Sequence, residues 1–235
     1  MATVELTAGP SALPLVPIAL PPATSVLPLD WTIADVLTHL GGIPPERVRL
    51  FPPPGTATEK DVEELDDHAD RLCELIDGVL VEKTMGYKES ILAAEIIQVL
   101  AAFVRTHDLG LVLGEGGTLR VLPHQVRIPD VCFISWDRFP NRQLPPEPIP
   151  DLAPDLAIEV LSKGNTEKEM QRKLRDYFAA GVRLVWYIDP RTRSAKSYTT
   201  ESECLDIAES QSLSGGDVLP GFELPLRELF AKAAM

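Results

Sequence analysis

Two carboxylates stand inside otherwise apolar stretches. Asp130 lies within 126–135 (VRIPDVCFIS) and Glu159 within 156–161 (LAIEVL). Burying a carboxylate without a partner costs on the order of several kcal/mol, so each acid needs a metal, a cation or a set of N–H donors. Mg²⁺ is commonly held by one or two carboxylates, with waters and substrate phosphates completing its shell. Two acids on neighbouring strands suit that pattern. The competing reading places both acids at strand ends, solvated or paired with Arg127 and Lys173, and position alone does not separate the two.

Pro129 precedes Asp130. Proline cannot donate to a sheet ladder, so it marks an edge or a bulge, and a bulge re-aims the next side chain. Cations follow Glu159. In 166–180 (TEKEMQRKLRDYFAA) an apolar stripe of Met170, Leu174, Tyr177 and Phe178 predicts an amphipathic helix. Lys173 falls beside that stripe and can lay its stem along the core. Lys168, Arg172 and Arg175 are expected to point further away. Lys163, just past the strand that carries Glu159, is a second candidate. Either lysine could stabilise charge on a phosphoryl transition state.

Several elements must position these groups. Strand 155–162, the helix and the wholly apolar 182–188 (VRLVWYI) predict a parallel β–α–β crossover. Asp77-Gly78 between two apolar runs predicts a hairpin. Residues 89–106 predict a mostly buried helix. Residues 111–122 and 126–135 read as two strands, 194–199 as another, and 218–231 as a turn and a short helix. Upstream, 1–29 reads as a flexible Pro/Ala-rich leader. Residues 30–70 read as a helical and acidic extension, with Asp30 capping a helix over 31–40 and a solvated acidic run at 59–70. The remaining 71–235 forms the main domain.

Composition narrows the function. Apolar residues make up 45% of the 235-residue chain, enough for a substantial core. The formal net charge of -13 excludes a passive nucleic-acid coat. Contact with DNA must then be local, supplied by a metal and a few cationic side chains. Cys73, Cys132 and Cys204 form no CxxC pair, which argues against a disulfide framework or zinc knuckle and fits a cytoplasmic protein. No phosphate loop of the GxxxxGK[ST] type and no GxSxG elbow is present.

Together, Pro129-Asp130, Glu159 to Ser162, Lys173 and Tyr177 resemble the PD-(D/E)XK nuclease superfamily. More narrowly, the chain resembles the Uma-two (Uma2) family of restriction-endonuclease-like proteins over about residues 71–231. Glu74 to Gly78, Arg127 to Val131, Ala180 to Val182, Trp186 to Pro190 and Leu219 to Phe222 carry that likeness. It implies an α/β restriction-endonuclease-like core, with a mixed four-stranded central sheet between two helices. It also implies metal-dependent cleavage of DNA, with Asp130 and Glu159 holding Mg²⁺ or Mn²⁺. The superfamily lysine usually stands two positions after the second acid, where this chain has Leu161. A migrated lysine is implied, for which Lys173 is favoured. Glu74 and Glu95 are further candidates to bind the ion or orient a water. Ser90 stands where relatives often carry histidine. Two cuts in a duplex favour a homodimer. The rival expectations are a nuclease fold that binds without turnover, and a protein-interaction module.

Overall fold

The computed structural model describes residues 25–69, 72–84 and 86–232, with backbone alone at 67–69. The leader therefore falls outside the described residues up to residue 24. Helices α1 (Ile33–His39) and α2 (Glu59–Ala69) precede a hairpin of β1 (Cys73–Ile76) and β2 (Val79–Glu82). Helix α3 (Tyr87–Thr106) follows, then β3 (Gly110–Gly114), β4 (Leu119–Leu122), β5 (Gln125–Arg127) and β6 (Val131–Ser135). The chain continues through β7 (Leu156–Val160), α4 (Glu167–Ala179), β8 (Leu184–Asp189), β9 (Ser194–Tyr198) and β10 (Cys204–Ile207). It closes with β11 (Ser212–Ser214), β12 (Glu223–Pro225) and α5 (Leu226–Lys232).

A six-stranded sheet runs in the order β10-β9-β8-β7-β6-β3. Only β7 and β8 pair in parallel within it, and α4 connects them, as the crossover pattern requires. Its strands are apolar on both faces because each face is covered. Leu156, Ile158, Trp186 and Ile188 pack toward α3 and α5, while Ala157, Val185 and Tyr187 pack toward α4. The central part β3-β6-β7-β8 is the mixed four-stranded core between two helices, extended by β9 and β10.

A second sheet, β2-β1-β5-β4, meets the first at a corner. The sequence pattern suggested one strand over 111–122 and one over 126–135. Each is instead two strands, one in either sheet. The first switches sheets through the glycine turn after Gly114, the second at Pro129, which has no N–H to continue a ladder. Pro129 thus breaks the strand rather than merely bulging it.

The upstream extension is built into this core. Thr32, not Asp30, caps α1, in a reciprocal capping box with Asp35. Leu27, Val36, Leu40 and Ile43 bury against Ile76, Val79 and Val81 of the hairpin. Leu27 lies in the stretch read as leader, and the chain at 26 is tied by its Val26 N–H to the Gly55 carbonyl at 2.9 Å. Gly41 has φ +89°, and a Cβ there would meet the Glu169 backbone nitrogen at 2.5 Å. The extension is thereby pressed onto the first turn of α4.

Candidate active site

The corner between the sheets, roofed by α4, holds the acids. Asp130 sits immediately before β6. Val131 pairs with Ile158, so one further step of the register sets Asp130 opposite Glu159. The two acids are thus borne by adjacent antiparallel strands and share a face. That face is the one α4 covers, because Ala157, two positions before Glu159, packs against Met170, Leu174 and Tyr177.

Helix α4 forms where the sequence pattern places it. Thr166 caps it, accepting the Glu169 N–H at 3.1 Å, and its stripe of Met170, Leu174 and Tyr177 is buried. That orientation delivers Lys173 to Glu159. Its ammonium donates to Glu159 Oε1 and Oε2 at 3.1 Å each, and lies 3.0 Å from Glu74 Oε1. The Tyr177 hydroxyl donates to Glu159 Oε1 at 2.5 Å. Glu74 also accepts from Arg127 Nη1 at 2.9 Å and from the Ile128 N–H at 3.2 Å. Arg127 turns its other arm to Asp176. Asp130 accepts the Val160 N–H at 2.6 Å and faces Lys83 Nζ at 2.8 Å, and that ammonium also donates to the Ile128 carbonyl at 2.5 Å. The side chains of Lys83, Asp130, Arg127, Glu74, Lys173 and Glu159 are only 1–6% exposed, so these contacts are shielded from solvent.

The two acids that share Lys173 are driven in opposite directions. Burial pushes the Glu74 carboxyl up, but Lys173, Arg127 and Lys83 together outweigh it and bring the pKa down to about 2. Burial also lifts Glu159, and here Lys173 and Lys83 do not compensate, because Asp130 and Glu74 add negative charge beside it. Its pKa lies above the usual carboxylate range. Lys173 is held protonated, since Glu159 and Glu74 outweigh the cost of its burial. Burial and the neighbouring acids push the Tyr177 hydroxyl well above its ordinary value, so it acts as a donor.

The structure brings Asp130, Glu159, Lys173 and Glu74 together. It does not bring Glu95, which pairs with Lys232 at 2.6 Å on the α3–α5 side, nor Lys163, which is exposed beyond β7. Ser90 is exposed on the first turn of α3. Arg172, expected to point outward, is buried beneath the extension, donating to the His39 carbonyl at 2.7 Å and pairing with Asp77. Arg127 serves Glu74 and Asp176 rather than Asp130. Lys83 has no signal in the sequence: a lysine ending a hairpin strand ordinarily reads as a solvated residue.

The acids offer oxygen donors alone, the chemistry that Mg²⁺ and Mn²⁺ prefer. Among the described residues no three of His, Cys, Asp and Glu converge as a ready-made metal cage. Two carboxylates suffice for an ion that keeps its waters. A carboxylate has about four lone-pair sites. Asp130 engages two donors and Glu159 three contacts, so acceptor capacity is left on each. Burial is the main force raising the Glu159 pKa, and a bound cation would favour its ionised form. The residues present therefore fit such an ion.

A family model described as "Putative restriction endonuclease", Uma2, matches residues 60–227. The chain belongs to the Uma2 family. Its fold is shared with a crystal structure titled as "a putative nuclease belonging to DUF820" from Anabaena variabilis. The two superpose with a TM-score of 0.64 at 20% identity, over 73% of this chain and 98% of that one. At that identity the likeness is one of fold. No curated protein matches. The family match takes in every residue of the buried cluster and begins after α1, so the extension that grips α4 precedes it. Among the described residues, no helix is long and apolar enough to cross a membrane.

Proposed function

We propose that this Uma2 protein is a metal-dependent endonuclease that hydrolyses DNA phosphodiester bonds, with Asp130 and Glu159 holding Mg²⁺ or Mn²⁺. The observation that carries the reading is the pair of buried acids set opposite each other on adjacent strands. Such an ion, when bound, polarises the phosphoryl group and lowers the pKa of a coordinated water. The chain's own residues supply the rest. The Val160 N–H fixes the Asp130 carboxylate, and Lys173 with Tyr177 fixes that of Glu159. Fixed ligands reduce the reorganisation that binding requires. Glu74 holds Lys173 from the opposite side. With a net charge of -13, the chain presents no general basic surface to DNA, and any contact is local to this site. A cytoplasmic homodimer making two symmetric cuts completes the proposal.

A nicking assay on supercoiled plasmid with Mg²⁺ or Mn²⁺ tests it, with Asp130→Asn and Glu159→Gln as controls. Wild type is expected to nick only with metal, and either substitution to lower the rate by about 100-fold or more. Cleavage that survives both substitutions rejects the site.

A second reading rests on one specific observation: both oxygens of Glu159 already accept from Lys173. On that reading the fold binds DNA or a protein partner without turnover. It predicts no nicking by folded wild type, and no calorimetric heat on titrating Mg²⁺ or Mn²⁺.

A further inference from the structure

An ammonium group has three N–H donors. Lys173 lies within 3.0–3.1 Å of three carboxylate oxygens, Glu74 Oε1 and both of Glu159, so its donors are spent on the protein. Lys83 has two partners among the described residues, Asp130 Oδ1 and the Ile128 carbonyl, and one donor is left over. Those partners flank Pro129, where the chain passes from one sheet to the other. The backbone around Lys83 is fixed as well. Its N–H donates to the Leu72 carbonyl at 2.9 Å, and the next residue, Thr84, is tied to Ser162 at the end of β7 at 3.2 Å. Among the described residues no other cation meets these conditions. Arg127 touches neither Asp130 nor Glu159, and Lys163 is exposed.

We propose that Lys83 is the lysine that contacts the scissile phosphate, and that Lys173 is the fixed counterion of Glu74 and Glu159. The inference rests on the nuclease reading of the same site and changes which residue is catalytic. In the reaction a water oxygen bonds to phosphorus as the bond to the leaving deoxyribose oxygen breaks. The water releases a proton to solvent and the leaving oxygen takes one up. Lys83 transfers no proton. Its free N–H donates to the phosphoryl oxygen as negative charge builds there, while its other contacts keep it beside Asp130. A migrated lysine is thus supplied by the hairpin ahead of α3, not by the helix after Glu159.

The experiment compares wild type, Lys83→Met and Lys83→Arg, each first checked for the native circular dichroism spectrum. Plasmid nicking is followed at saturating Mg²⁺, and Mg²⁺ affinity is measured by calorimetry without DNA. Lys83→Met is expected to lower kcat about 100-fold or more, with Lys83→Arg recovering part of it because the charge is kept. Mg²⁺ affinity should be unchanged or tighter, since an Asp130 oxygen is released. Lys83→Met that nicks as fast as wild type at saturating metal overturns the assignment and leaves Lys83 as a counterion of Asp130. Mg²⁺ binding lost in Lys83→Met also overturns it, because the residue then acts by holding the ion's ligand. If Lys83→Met does not fold, Lys83→Arg decides alone: full activity with a displaced, bulkier guanidinium counts against a direct contact. Wild type that never nicks fails the nuclease reading itself, an outcome separate from the others.

Discussion

The Val160 backbone N–H donates to Asp130 Oδ2 at 2.6 Å, tying the residue after one acid to the carboxylate of the other. Asp130 also neutralises Lys83, whose side chain is buried. Removing Asp130 therefore strands a buried ammonium as well as an amide. Asp130→Ala is expected to lose about 3–5 kcal/mol of stability, the range for breaking a buried ion pair from one side. Asp130→Asn retains an acceptor for the Val160 amide and is expected to lose less. Urea unfolding in EDTA measures both. Equal losses would mean the hydrogen bond to Val160 contributes little.

The extension acts on α4 through Arg47. Its guanidinium meets Glu169 at 2.8 and 3.0 Å, with both side chains almost fully buried. Arg47→Met leaves buried Glu169 without its cation, retaining the Thr166 N–H and the Asn165 amide, and should destabilise the protein by about 3–5 kcal/mol. The double variant Arg47→Met, Glu169→Met removes both charges and should recover part of that loss, less the capping contact from Glu169 to the Thr166 N–H. A double-mutant cycle by chemical denaturation checks it, and strict additivity would show that the pair is not coupled.

Gly41 combines left-handed backbone with contact against the first turn of α4. Gly41→Ala adds a Cβ that meets backbone and cannot be accommodated by a side-chain shift. An expected loss of about 1–3 kcal/mol should appear as a lower melting temperature. Gly42→Ala, also at positive φ but facing open space, should cost less.

Acid stability should depend on Asp77. Burial raises its pKa, but hydrogen bonds from His39 and Arg172 outweigh that and hold it below the usual aspartate value. A group whose folded pKa is depressed binds fewer protons when folded than when unfolded. Its stabilisation is present above the unfolded value of about 3.9 and is lost as pH falls below it. Unfolding free energies compared between pH 6 and pH 3 should fall more in wild type than in Asp77→Asn. Asparagine tolerates the φ of 47° at this turn, so the comparison isolates the charge. Parallel pH profiles would refute the role assigned to Asp77.

Much of this arrangement is legible in the residues. Asp77-Gly78 forms the expected tight turn, with φ of 47° and 74°. The stripe Met170, Leu174, Tyr177 orients α4, and from that orientation Lys173 reaches Glu159 as the spacing suggests. What is not legible depends on long-range pairing. The split of 126–135 into two strands reflects which sheet each half joins, information absent from local alternation. Lys83 approaches the site only because β1 and β5 pair, so neither spacing nor periodicity reveals it, whereas the family likeness points to Glu74. The burial of Arg47, and of Arg172 on α4, is not legible because their carboxylate and carbonyl partners lie 95 to 133 positions away.

The buried cluster sets positive groups against its acids before any ion arrives: Lys173 and Arg127 on Glu74, Lys173 on Glu159, and Lys83 on Asp130. Folding is thereby expected not to depend on a metal. The chain is expected to complete its interior under chelation, unlike small domains whose collapse waits for zinc. On the proposed reading, a divalent ion would meet a finished scaffold and would have only to rearrange ammonium contacts already in place.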